Sequence, residues 1–246
     1  MMRRPLMGRR FGVFTALVVA TSLTAFADIT NAPPFSANAP SAALPAQYRT
    51  LTPPSIKANQ FALVADDGVT VLRVDSNQSA GTVALPFDIA PNSTPVLSWR
   101  WKIDRVVERA ETDKKSGDDY AARVYVFFDV PLESLSFGER TKIRLARLLS
   151  GSDVPSAALC YVWDNKVAVG ARRWSPYTDR VQIIVLQSGN GRANQWVGER
   201  PDVAADFRAA FGTAAPRITG VAIGNDTDQT GERASAWFGD VSFHAK

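Results

Sequence analysis

Apolar and polar residues alternate along most of this chain, and the alternation predicts strands. Runs at 61–65 and 69–74 flank Asp66-Asp67-Gly68, the Asp-Gly type of turn that joins antiparallel strands. Further runs lie at 96–103, 121–128, 158–163, 181–186, 218–223 and 234–243. Two segments carry helix signals instead. Ser136-Phe137-Gly138-Glu139 is a capping box, in which serine accepts from free backbone N–H groups and glutamate reaches back. That helix is expected over 136–149. A second follows Pro201-Asp202 and ends at Phe211, where Gly212 can take the left-handed conformation. Many strands with two short peripheral helices predict a mainly β fold, a two-sheet β-sandwich.

The alternation also assigns faces. In 121–128, Ala122, Val124, Val126 and Phe128 form a core side, and Ala121, Arg123, Tyr125 and Phe127 form the other. In 96–103, Trp99, Trp101 and Ile103 oppose Ser98, Arg100 and Lys102. Rings stack on apolar planes and arginine supplies a planar fork of donors, so such a face suits sugar or an anionic polymer. The same pattern fits a solvated face, or a packed layer whose arginine pairs with an acid. The ligand-binding candidates are Asp119, Arg123, Tyr125 and Arg100.

The first 27 residues read differently. Arg3, Arg4, Arg9 and Arg10 precede an apolar stretch, and Ala25-Phe26-Ala27 offers a small-x-small cleavage site, the plan of a secretory signal. The stretch is short for a membrane span, so no transmembrane segment is expected after cleavage. The expected location is the periplasm or the exterior. The chain has 28 Lys+Arg against 24 Asp+Glu, and losing four leader arginines leaves the 219 mature residues balanced at 24 each. A global basic field for nucleic acid is therefore not expected. Residues 28–59 are rich in Pro, Ala, Ser and Asn, yet Phe35, Leu44, Tyr48 and Leu51 can dock them, which predicts a partly ordered segment of a single 28–246 domain.

The single cysteine, Cys160, sits in an apolar strand and reads as core, not as a reactive thiol. One histidine, His244, argues against a serine–histidine triad or a multi-histidine metal site. Asp226-Thr227-Asp228-Gln229-Thr230-Gly231 places oxygen side chains at alternate positions before a glycine, like the start of a calcium loop, but Trp237 stands where a bidentate glutamate would close it. Asp226, Asp228 and Asp240 are the candidate calcium ligands; a plain polar turn is the alternative. For an enzyme, the candidates are Asp118, Asp119 and Asp228 as acid or base, with Arg123 stabilising charge. Extended chain would point Asp118 and Asp119 to opposite faces. Arg140, Arg144 and Arg147 make a stripe on the first predicted helix, which suits an anionic surface or plain solvation.

Several motifs in fixed order resemble one family. They are Ser98-Trp99-Arg100-Trp101-Lys102, Asp118-Asp119-x-x-Ala122-Arg123-Val124, Leu159-x-Tyr161-Val162-Trp163, and Trp196-x-x-x-Arg200. Ala205-Asp206-Phe207 with Phe211-Gly212 follows, then Asp226-Thr227-Asp228-x-Thr230-Gly231 leading into Phe238-Gly239-Asp240-Val241. Together they resemble the exported bacterial family of domain of unknown function 3047, over roughly residues 33 to 246. Tyr48 stands where that family often has tryptophan, and Gln229 where asparagine is usual. The resemblance implies compartment and fold but no reaction. The ending at 237–243 is also similar to galactose-binding-like jelly rolls and carbohydrate-binding modules, a likeness of fold. The reading is an exported, non-catalytic jelly-roll domain that binds a carbohydrate-like or polar envelope ligand, with structural calcium as a possible cofactor. Alternatives are a polysaccharide-active enzyme and a structural or assembly partner.

Overall fold

The computed structural model describes residues 32–131, 133 and 156–246. The leader and the helix expected at 136–149, with its arginine stripe, lie outside the described residues. The strands are β1 (Arg49–Leu51), β2 (Gln60–Asp66), β3 (Val69–Asn77), β4 (Ala80–Ile89), β5 (Val96–Ile103), β6 (Tyr120–Phe128) and β7 (Ala157–Asp164). They continue with β8 (Arg172–Ser175), β9 (Thr178–Ser188), β10 (Val197–Glu199), β11 (Ile218–Asp226), β12 (Arg233–Phe238) and β13 (Ser242–His244). A single α-helix among the described residues, α1 (Val203–Phe211), lies between β10 and β11.

Two sheets form the expected sandwich. The larger runs β1-β4-β11-β6-β7-β9-β8, and the smaller β10-β5-β12-β3-β2, with β13 paired to the start of β5. The pairings are antiparallel except β7 with β9. Trp99 and Trp101 of β5 meet Tyr161 and Trp163 of β7 across the core, at ring separations of 5.7 Å and 5.9 Å. The polar tips are served as burial demands. Trp101 Nε1 donates to Glu199, Trp163 Nε1 to the Gly189 carbonyl, and Tyr161 Oη to Asp206 on α1.

The helix ends match the sequence. Asp202 accepts from the Ala205 N–H at 2.9 Å, and Gly212 closes the helix at φ 72°. Its Phe207 packs on Phe128 of β6. Phe35 is fully buried against Tyr48, whereas Leu51 on edge strand β1 is 50% exposed. The run at 234–243 divides at Gly239-Asp240 into β12 and β13, which pair opposite ends of β5. Strand β4, which the alternation did not single out, lies between β1 and β11 and sends Val83, Leu85, Phe87 and Ile89 into the core.

Strands β4 and β11 approach so closely that a Cβ on Gly224 would stand 2.2 Å from the Gly81 carbonyl oxygen and 2.9 Å from Thr82 Cα. Both obstacles are backbone, so the pair itself would have to move. Gly224→Ala is expected to destabilise the fold by about 1–3 kcal/mol, the range for overpacking a tight site. The measurement is a lower urea midpoint at unchanged slope.

Candidate functional site

The outer side of the larger sheet is where Arg123 and Tyr125 were expected to form an open recognition face. It is closed. Val162, Cys160, Ile183, Val185 and Tyr120 make a second apolar cluster there, with Val167 and Ala171 from the β7–β8 connection packed against it. Arg123 is only 6% exposed. Its Nη1 donates to Tyr125 Oη at 2.6 Å and its Nη2 to the Asp118 carbonyl at 2.8 Å, and it pairs with the Asp226 carboxylate. The guanidinium also lies over the Tyr120 ring at 4.7 Å. Arg123 therefore ties β6 to the end of β11. It is not a free fork for a ligand. Burial pushes the Cys160 thiol up to about 12, in keeping with an inert core residue.

Acids gather around this arginine. Asp119, Asp226 and Asp228 each offer an oxygen within 4.8 Å of the others. Asp119 accepts from the Thr230 N–H at 2.6 Å and the Gln229 N–H at 3.4 Å, which closes the 226–231 turn. Asp226 also accepts from the Tyr120 N–H at 2.9 Å, and Asp228 from the Gln229 amide at 2.5 Å. Asp118 joins the group, because its backbone at ψ 54° is not extended and the alternation of faces does not apply to it. Its Oδ1 is buried without a hydrogen-bond partner among the described residues. Burial raises the proton affinity of Asp118, Asp226 and Asp228. Neighbouring carboxylates add to the effect, and Asp226 reaches about 7 despite Arg123. Four carboxylates thus face one guanidinium. Asp240 stands apart: its oxygens accept from the Ser36 N–H and hydroxyl, and it does not converge with Asp119, Asp226 and Asp228, which removes it from the candidate calcium set.

Arg100 belongs to the opposite side of the molecule, the outer face of the smaller sheet. Its guanidinium stacks on Trp196 at 4.3 Å. On the same face Lys102 Nζ lies 5.1 Å from the Trp196 ring and 4.9 Å from Trp237, and Arg73 lies 5.4 Å from the other part of the row at Trp237. Register explains the order: Trp237 pairs with both Lys102 and Arg73, while Val197 pairs with Trp101 and so brings Trp196 beside Lys102. Asp66 holds the row in place, accepting from Lys102 at 2.5 Å and from Trp196 Nε1 at 2.9 Å. Both indoles are half-buried. Neither ring is among the candidates that alternation and motif spacing single out, although the alternation of 233–238 turns Trp237 outward from Ala236 and Phe238.

His244 does contact a serine, with Ser242 Oγ 2.8 Å from its Nε2, but both are solvent-accessible and no carboxylate among the described residues pairs with the ring. A catalytic triad is not assembled there.

Removing the Arg123 side chain would leave Asp226 buried and unpaired, and breaking such a pair costs about 3–5 kcal/mol. Arg123→Ala is expected to lose that much stability in urea denaturation. Arg100→Ala, on the outer face, should change the midpoint little.

No curated protein matches the chain. Among solved structures it is similar to the xyloglucanase domain of NopAA, a type three effector from Sinorhizobium fredii, at 12% identity and TM-score 0.44, covering 88% of this chain and 98% of that one. It is also similar to the family 30 carbohydrate-binding module of cellulosomal cellulase CEL9D-CEL44B of Clostridium thermocellum, at 9% identity and TM-score 0.39 over 90% and 99% of the two chains. A third is endoglucanase 3 of Trichoderma harzianum, from family GH12, at 7% identity and TM-score 0.40 over 83% and 100%. Residues 46–242 match a family described as protein of unknown function DUF3047, and the chain belongs to that family.

Proposed function

We propose that this is an exported, non-catalytic binding domain whose ligand is a saccharide lying along Trp196, Lys102, Trp237 and Arg73. The observation that carries the reading is the presence of two indoles on one sheet face with a lysine between them. Rings two strands apart are about 10 Å from each other, a span that takes a short run of linked sugar rings. Indole planes receive the apolar faces of such rings, and the intervening cations donate to hydroxyl oxygens. Asp66 fixes Lys102 and Trp196 beforehand, so little ordering remains at binding. A non-catalytic role is supported at Asp119 and Asp228, which already accept hydrogen bonds within the fold, and at Arg123, which is buried and paired with Asp226.

Calcium enters this reading as a structural ion held by Asp119, Asp226 and Asp228. The donor set is hard and anionic, it carries more negative charge than Arg123 offsets, and the unpartnered Asp118 oxygen is adjacent in the chain. Bound calcium would supply the missing positive charge and fasten the 226–231 turn to β6.

Affinity electrophoresis against a panel of neutral and acidic polysaccharides tests the binding role. Wild-type protein should be retarded by at least one of them. Trp237→Ala should weaken that interaction by about 30-fold, as expected for a hot-spot side chain worth ~2 kcal/mol. Free mobility of the wild type across the whole panel would refute the assignment. The ion has a separate check by calorimetry. At about 100 times its dissociation constant calcium adds ~2.7 kcal/mol of stability, so chelation should lower the melting temperature by about 5–10 °C. The drop should vanish in Asp228→Asn, and an unmoved wild-type melt would remove calcium from the account.

A further inference from the structure

The row of rings ends at Arg100, and Arg100 also lines a hollow of about 700 Å³ where β5, β10 and β13 meet. That volume falls within the range of small-ligand sites. Its lining is unusual in how its charges are used. Arg200 and His244 join Arg100 there, and neither arginine has a carboxylate at ion-pair distance among the described residues. The two acids on the lining already accept hydrogen bonds. Asp240 accepts from Ser36, and Glu199 accepts from Trp101 and Gln187 through Oε1.

One further polar group on the lining lacks a partner. Ser98 Oγ, on the same outer face of β5 as Arg100, is buried without a hydrogen-bond partner among the described residues. Arg100 is also held in place. One side of its guanidinium stacks on Trp196, and its stem passes so close to Gly239 that a Cβ there would come within 2.7 Å of Arg100 Cγ. A guanidinium fixed by stacking keeps its edge free for a planar, two-oxygen anion.

We infer that this hollow is an anion subsite that takes the carboxylate of a sugar acid, making the ligand class an acidic saccharide. The sugar part of the inference rests on the saccharide reading above; the carboxylate part rests on the hollow alone. Arg100 and Arg200 face the carboxylate, and the neighbouring Trp196 receives the adjoining ring.

The single histidine makes the test direct, because the imidazole of His244 gives one set of resonances and lies on the lining. Glucuronate should shift those signals saturably in the wild type, and equal concentrations of glucose or acetate should not. Arg200→Ala should weaken the glucuronate response by about tenfold or more, the loss for one charge-assisted contact, with Arg200→Lys in between. The dispersed methyl spectrum confirms that each variant is folded. An unsaturable wild-type response to glucuronate overturns the subsite, as does an unchanged response in folded Arg200→Ala. An equal response to acetate overturns the sugar-acid assignment. Polymer retardation without glucuronate binding would remove the subsite and leave the row standing, whereas glucuronate binding without any polymer retardation would do the reverse.

Discussion

The packing of Trp99 and Trp101 against Tyr161 and Trp163 is the contact on which the two sheets depend. Large rings from facing strands fill the space between the layers, and each added ring removes apolar area from water. That interface fixes the direction of every alternating side chain on β5 and β7. Ser98, Arg100 and Lys102 must then point away from the core, and so must Cys160 and Val162. What differs between the two outer sides is what covers them.

On the larger sheet the cover is apolar, and it forces Arg123 to find its partners within the fold. A buried guanidinium loses several kcal/mol of hydration, so it persists only when its donors and its charge are matched. Tyr125, the Asp118 carbonyl and Asp226 match its charge and both Nη groups, while Nε has no hydrogen-bond partner among the described residues. Asp118, Asp119 and Asp228 crowd around the pair, and burial together with mutual repulsion raises the proton affinity of Asp118, Asp226 and Asp228. On the smaller sheet the cations remain near solvent, stacked on rings instead of paired with acids alone. Arg100 there keeps its hydrogen-bonding edge.

Much of the fold could be read from the chain because its longer strands alternate strictly. The inward Trp99, Trp101 and Ile103, and the inward Val124, Val126 and Phe128, are cases where period and burial agree. Strand β4 escaped notice because Gly81 and Pro86 interrupt a run that is otherwise regular. The three- and four-residue strands β1, β8 and β10 are too short to carry a period at all. The α1 caps were legible since Asp202 and Gly212 act on their immediate neighbours. The site was less so. The enclosure of Arg123 depends on partners such as Asp226, 103 residues away in sequence, and nothing local announces that pairing. The rule that adjacent residues face apart failed at Asp118 because the chain is not extended there. Trp237 could have been turned outward by its own alternation, but its place between Lys102 and Arg73 comes from register, a property of three strands.

The chemistry of the open face follows from that register. Antiparallel pairing places Arg73, Trp237 and Lys102 side by side on three strands, and the approach to β10 adds Trp196 and then Arg100. A ring beside a cation attracts ligands that are neither purely apolar nor purely ionic: the ring needs a flat apolar surface, and the cation needs an oxygen at its edge. A nucleic acid would ask for a longer run of unopposed positive charge, yet Asp66 and Asp75 each pair with a cation of the row. A purely apolar partner would leave Arg100, which has no carboxylate partner among the described residues, without an acceptor as water was expelled, at a desolvation cost that the two indoles do not repay. On the proposed reading sugar rings would satisfy both demands at once, and a carboxylate at one end of the saccharide would meet Arg100 and Arg200, neither of which has a carboxylate at ion-pair distance among the described residues.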